Sequence, residues 1–195
     1  MTLHVICTAY KRTTTLGLLI SSFLIQTDLR WILYIIYDGP VPEDVQRIIN
    51  FYKTDQRIRF SNTPTLNGQW GHPNRAMMLN SLGGACDDYV LITNDDNYYV
   101  PTFVEDFLKQ VRPDIGMIYC NTLHSYMKYN ILYTRIKENL IDMGSFIVKQ
   151  SIAKSVGFKH RHLSADGRYA EECAEKCRVQ RLKVIYIDRC LFVHN

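Results

Sequence analysis

Short apolar runs, each the length of one buried strand, alternate along this chain with apolar stripes at helical spacing, and no other feature limits its fold as strongly. Leu3–Ala9 reads as the first strand. Leu16, Leu19, Ile20, Phe23 and Leu24 then follow the i, i+3, i+4, i+7, i+8 rule of an amphipathic helix. Trp31–Tyr37 is a second strand, closed by the turn signal Asp38-Gly39-Pro40, and Val45, Ile48, Ile49 and Tyr52 form a second helix stripe. Further strands are predicted at 57–61, 89–93, 115–120, 141–148 and 184–187. Helices are predicted near 75–81, from Pro101 through Phe107 and Val111, and from a cap at Ser164 or Asp166 to about 179. Repeated strand–helix–strand units imply an α/β fold: a mixed, mostly parallel sheet with helices on both faces. A chain of 195 residues suits a single domain.

In such sheets, ligands sit beyond the carboxyl ends of the strands. The first strand ends in Thr8-Ala9-Tyr10 followed by Lys11 and Arg12, the second at Asp38, and a middle strand at Asn94-Asp95-Asp96-Asn97. Two adjacent carboxylates flanked by amides suit a hard divalent cation that also takes phosphate oxygens. The same four residues also read as an Asx-rich turn. No GxGxxG or GxxxxGK[ST] follows the first strand, which argues against a dinucleotide or P-loop site. The 23 Lys+Arg against 19 Asp+Glu leave a formal charge of +4, too mild to demand a nucleic-acid partner. Thirteen Tyr are available for stacking as well as for core packing.

The cysteines lie at 7, 86, 120, 173, 177 and 190, with no CxxC pair, and read as free thiols of a reducing, cytoplasmic compartment. The residues after Met1 read as a strand rather than a leader, and the apolar runs are too short for a transmembrane segment.

The order of these elements resembles the GT-A (Rossmann-like) fold of nucleotide-sugar glycosyltransferases, nearest to family 2 and to its compact stand-alone domains from bacteria and large algal viruses. The likeness runs through 3–10, 35–40, 67–80, 90–101, 142–148, 165–172 and 191–195. A viral protein acting inside a host cell is among the sources this implies. The resemblance implies a nucleotide-binding half at 1–97 and an acceptor half at 98–195. It assigns Thr8, Ala9, Tyr10 and Asp38 to the nucleotide base, and Arg75, in Gly71-His72-Pro73-Asn74-Arg75, to the diphosphate. Asn94–Asp96 matches the DxD motif, with Asp96 as metal ligand for Mn2+ or Mg2+ and Asp95 touching donor ribose or sugar; Asp95-x-Asn97 is the alternative frame. His194 matches the C-terminal His of the metal or diphosphate site. Asp166, preceded by Ala165 where the family has Glu, matches the catalytic base.

Plain structural roles compete with each assignment: a turn for Asp38, a solvated helix arginine for Arg75, an N-cap for Asp166 and a frayed terminus for His194. A helix N-terminus weakens Asp166 as a base, and Glu171 and Glu172 act in the opposite direction if they are close. The loop at Lys159–His162 is expected near the acceptor entrance, and Met143-Gly144-Ser145 along the acceptor pocket. The Gln-x-x-Arg-Trp motif of processive synthases is absent, so one sugar is expected to pass from a UDP-linked donor to a glycan or other hydroxyl acceptor, with inversion. The alternatives are a non-catalytic nucleotide- or glycan-binding module and a sugar-nucleotidyltransferase, which would want a Gly-rich loop that 8–15 lack.

Overall fold

The computed structural model describes all 195 residues. It begins with β1 (Leu3–Ala9), α1 (Thr13–Leu24), β2 (Trp31–Tyr37), α2 (Glu43–Tyr52) and β3 (Ile58–Asn62). A 3-10 turn at Gln69–Gly71 leads into α3 (His72–Ser81), followed by β4 (Tyr89–Asn94), β5 (Tyr98–Tyr99) and α4 (Phe103–Leu108). The second half holds β6 (Ile115–His124), β7 (Asn130–Leu132), β8 (Phe146–Lys149), α5 (Gln150–Val156), α6 (Ala165–Val179) and β9 (Lys183–His194).

All nine strands join one sheet in the order β3-β2-β1-β4-β8-β6-β9-β5, with β7 paired to β6. β8 runs antiparallel to both β4 and β6, and β9 parallel to β6, so only β5, β7 and β8 oppose the common direction. The expected mixed, mostly parallel sheet is therefore present.

Alternation within the central strands divides the core into two layers. Leu3, Val5 and Cys7 of β1 pack with Phe23 of α1 and with Phe103 and Phe107 of α4. Ile6 of β1 joins Val90 and Ile92 of β4, Phe146 of β8 and Tyr169 and Cys173 of α6 on the opposite side. Burying each such side chain stabilises the fold by about 1.5–3 kcal/mol. Gln26 braces the two ends of this arrangement: its Nε2 donates to Ser22 O (2.9 Å) and Val100 O (2.8 Å), and its Oε1 accepts the Val104 N–H (2.9 Å). One free donor at the start of α4 is thus met by a distant side chain rather than by Thr102.

Two expected strands differ from the structure. Residues 141–148 do not form one strand, because the Ser145 N–H and hydroxyl both donate to Asp142 O (3.0 and 2.7 Å) and wind Met143–Ser145 into a 3-10 turn before β8. The last strand extends from Lys183 to His194 instead of stopping at 187. Its polar stretch hides the continuation: register shifts against β6 around Asn121 absorb the extra residues, and Asp188 takes an Asn121 Nδ2–H bond at 3.0 Å.

The 3-10 turn fits tightly beneath the end of β4. An added Cβ at Gly144 would lie 2.6 Å from the Tyr99 hydroxyl and 2.8 Å from the Phe192 ring. That hydroxyl donates to Thr93 Oγ1 at 2.7 Å, next to the strand end that carries the carboxylates. Gly144→Ala is expected to lower stability by about 1–3 kcal/mol through overpacking. Urea unfolding should show a lower midpoint with an unchanged slope.

Candidate active site

Parallel β1, β2 and β4 end at one edge of the sheet, in register through Ala9↔Tyr37 and Thr8↔Asn94. A cleft of about 760 Å³ opens there. Thr8, Ala9, Tyr10, Asp38, Arg75 and Asp95 all line it, together with Asp166 and His194 from the second half of the chain. Asp96 lies outside this wall.

Asp38 organises the loop that roofs the cleft. Its carboxylate accepts the Asn67 and Gly68 N–H groups at 2.9 Å each, and the Thr63 hydroxyl at 3.3 Å. Burial would raise its pKa, but these hydrogen bonds outweigh burial and hold it below the usual carboxylate value. The loop then makes an unusual run of left-handed residues: Gly68 (φ 65°), Gln69 (51°), Trp70 (53°) and Gly71 (78°). Gly71 has a second reason to be glycine, since a Cβ there would meet Thr8 Oγ1 at 2.7 Å. Trp70 is presented at 61% exposure on the cleft wall.

Arg75 enters from the first turn of α3 and is only 4% exposed. Its guanidinium donates to Asn94 Oδ1, to Trp70 O (2.8 Å) and to His72 Nδ1 (2.6 Å), while its Nε has no partner. Burial lowers its pKa to about 10, against the pull of Cys7, Asp166, Asp95 and Asp96. His72 must accept through Nδ1, so Nε2 carries the proton and donates to His162 O at 3.1 Å. Burial and then the Arg75 charge push His72 down to about 4.

Asp95 accepts the Tyr10 N–H at 2.9 Å, and burial raises its carboxyl to about 6 despite that bond, with the Asp96 charge adding to the rise. Arg12 covers Asp96: its guanidinium bonds Asp96 Oδ2 and lies 3.5 Å from Asp95 Oδ1, with the Arg12 side chain 53% exposed. Asp96 Oδ1 is buried without a partner. Asn97 turns inward, its Nδ2 donating to Thr93 Oγ1 at 2.9 Å.

Across the cleft, Asp166 stands in the first turn of α6, and its Oδ1 accepts the Gly167 N–H at 2.8 Å. Ser164 precedes the helix but gives its hydroxyl to Glu138 (2.6 Å) rather than capping. Burial raises the Asp166 pKa; the Gly167 bond lowers it, and Asp142 raises it further. The helper expected from Glu171 and Glu172 is therefore supplied by Asp142. Glu171 is held by Arg168 and the Glu138 N–H, and Glu172 by Lys159 and His160.

Asp142 ties two histidines together. His124 Nε2 lies 2.6 Å from Asp142 Oδ2, and His194 Nδ1 lies 3.2 Å from Oδ1. Burial would lower the His194 pKa, but Asp142 outweighs it and raises it; the pair of imidazoles in turn holds Asp142 low against its own burial. Donor atoms of His124, Asp142 and His194 all lie within 4.8 Å of one another. A second cavity, of about 540 Å³, adjoins this cluster and shares Leu163, Asp166 and His194 with the first.

Sequence reasoning did not find Trp70, His72, His124 or Asp142. Strand-end position signals only part of this group, since Asp142 reaches the site through a 3-10 turn. Met143, expected along the acceptor pocket, lines the first cleft instead, while Gly144 and Ser145 are buried beneath it. Lys159 and His160 are drawn to Glu172 on α6.

Protonating His72 would put an N–H against the Arg75 guanidinium. The folded value of about 4 lies below the ordinary 6.5, so its contribution to stability is present above 6.5 and lost as pH falls toward 4. That loss is about 3 kcal/mol by linkage. His72→Gln should flatten the stability profile across this window in urea titrations at stepped pH.

No protein-family model and no curated protein matches the chain. Solved structures match its fold closely. S. aureus TarS 1-349 in complex with UDP superposes with a TM-score of 0.77 at 13% identity, covering 100% of this chain and 60% of that one. TarS 1-349 in complex with UDP-GlcNAc gives 0.76 at 14% identity, over 100% and 58%. A mannosyltransferase from Pyrobaculum calidifontis in complex with GDP-Man and Mn2+ gives 0.72 at 12% identity, over 98% and 56%. This chain thus spans about 60% of the TarS 1-349 chain. Its mixed α/β architecture is the GT-A type that the resemblance implied.

Proposed function

We propose that this chain is a divalent-metal-dependent inverting glycosyltransferase that moves one sugar from a UDP-linked donor to a hydroxyl acceptor. One observation carries the reading: the Asp166 carboxylate, with raised proton affinity, stands in the wall common to two adjoining cavities. A base that must take a proton from the acceptor while facing the donor belongs at such a junction. The structural neighbours, solved in complex with UDP, UDP-GlcNAc or GDP-Man, favour a nucleotide sugar as the first ligand.

Residues 1–97 supply most of the donor cleft. The half-exposed Tyr10 ring offers a stacking face for the base, and Asp38 retains lone pairs for a base N–H. Thr8 and Ala9 shape the floor. Arg75 supplies buried positive potential to the diphosphate, and Asp95 faces the donor ribose or sugar. Residues 98–195 supply the acceptor side.

The residues present fit a divalent cation. Asp96 Oδ1 is an orphaned buried carboxylate oxygen, and the strand pairing Tyr98↔Val193 brings its segment beside that of His194. Carboxylate and imidazole donors suit Mn2+, which Asp96 and His194 would hold, with Mg2+ the alternative. A cation held there would supply positive charge to neutralise the departing diphosphate. Arg12, which now occupies that charge, is exposed enough to move aside.

Asp166 takes the acceptor hydroxyl proton as that oxygen forms its bond to the anomeric carbon. The bond from that carbon to the phosphate oxygen breaks, and the nucleoside diphosphate leaves with its electron pair. One displacement inverts the configuration.

Asp166→Asn should reduce transfer by roughly 10²–10⁴-fold. UDP affinity, measured by calorimetry, should stay within a few fold. Wild-type protein and this variant being equally inactive would instead favour a binding module. Asp96→Ala should remove the Mn2+-dependent part of UDP binding; full retention of it would place the metal elsewhere.

A further inference from the structure

The second cavity is built differently from the donor cleft. Its wall, between the β6–β7 hairpin and the start of α6, contains no lysine or arginine. Tyr126, Met127, Ile131 and Leu163 present apolar surface, and Asn130 and Asn139 present amides. Met127 is 51% exposed and Leu163 76%, so this surface faces solvent rather than the core. The carboxylates in the wall are Asp142, committed to His124 and His194, and Asp166. Arg168, the cation nearest in sequence on α6, is turned to Glu138 and Glu171.

Tyr126 is held in a defined pose. Its ring stacks on His124 with centroids 5.0 Å apart and an 18° interplanar angle, and it meets the His194 ring edge-on at 5.3 Å. The ring is still 61% exposed. The turn that follows is strained, with Lys128 at φ 55° and Tyr129 at φ 58°, conformations that L side chains seldom adopt. The turn closes the hairpin that carries Tyr126 and Met127 into the cavity wall.

We propose that this cavity is the acceptor site and that its acceptor is an uncharged saccharide stacked on Tyr126. The proposal rests on the glycosyl-transfer reading and adds the substrate class. A sugar offers an apolar C–H face to an aromatic ring and a rim of hydroxyls to amides, which is the mixture this wall provides. A phosphate- or carboxylate-bearing acceptor would meet the Asp166 carboxylate with no lysine or arginine in the wall to pair it, and the wall's two imidazoles, His124 and His194, are turned to Asp142. The charge pattern therefore selects against phosphate- and carboxylate-bearing acceptors.

The test is saturation-transfer NMR on the full chain with saturating UDP and Mn2+. The probes are cellobiose, lactose and chitobiose, against glucose 6-phosphate and a glycerol-phosphate trimer. At least one neutral disaccharide should bind, and neither phosphate-bearing probe should compete with it. Tyr126→Ala should weaken that binding about tenfold, a change in line with one aromatic contact, and Tyr126→Phe should restore most of it. Tyr133→Ala, 68% exposed and outside the cavity wall, should leave it unchanged. Preferred binding of a phosphate-bearing probe overturns the proposal, as does no neutral binding by protein that still binds UDP. Equal affinity in Tyr126→Ala, with folding confirmed by circular dichroism, overturns the role of the ring. Failure to bind UDP at all would instead strike the glycosyl-transfer reading itself.

Discussion

A guanidinium sealed from water is the constraint around which this site is arranged. Arg75 is almost fully buried, and removing such an ion from water costs several kcal/mol unless neighbours compensate. Compensation comes from three directions. Asn94 at the end of β4 and the Trp70 carbonyl accept its N–H groups, His72 is kept neutral to accept another, and the carboxylates of Asp95, Asp96 and Asp166 surround it with negative charge. These partners come from a strand end, a left-handed loop, the start of one helix and the start of another. Arg75 therefore fixes their relative placement as well as the local potential.

The carboxylates show the reverse side of the same arrangement. Burial raises both Asp95 and Asp166, so each holds a proton more readily than an exposed aspartate. Asp96 Oδ1, buried and unpartnered, lies next to Asp95 in the chain. Polar groups left unsatisfied at a strand end lower stability and are tolerated where they serve binding. The parallel strands β1, β2 and β4 end at the first cleft, while the 3-10 turn before β8 and the end of the long β9 bring Asp142 and His194 together beside the second. The carboxyl ends of β6 and β9, which run in the direction of β4, bring His124 and His194 to the second cavity.

The strands that were legible in the sequence are those whose burial is continuous. Leu3–Ala9, in which only His4 and Thr8 are polar, and the apolar and aromatic run Trp31–Tyr37 needed no long-range information. The ends of these two strands carry Tyr10 and Asp38, and the end of the equally apolar β4 carries Asp95 and Asp96. The second half was harder to read because its order depends on partners far away in the chain. β9 continues past Asp188 and Arg189 only by bulging against β6 around Asn121, and no local pattern encodes that. For the same reason His124 and Asp142 carried no signal, since a hairpin and a 3-10 turn bring them together across 18 residues. Glu171 and Glu172 looked like neighbours of Asp166 by spacing, yet helix geometry turns them toward Arg168 and His160. Trp70 and Arg12 belong to loops, where side-chain direction follows backbone strain and charge rather than periodicity.

The central claim is that a nucleoside diphosphate and a divalent cation enter the cleft between β4 and α6 together. Isothermal titration of the full chain with UDP, in the presence and absence of Mn2+, tests it most directly. The account predicts one-to-one binding with Mn2+ and a marked loss of affinity when the metal is chelated. Equal affinity with and without the metal, or no UDP binding under either condition, would contradict it.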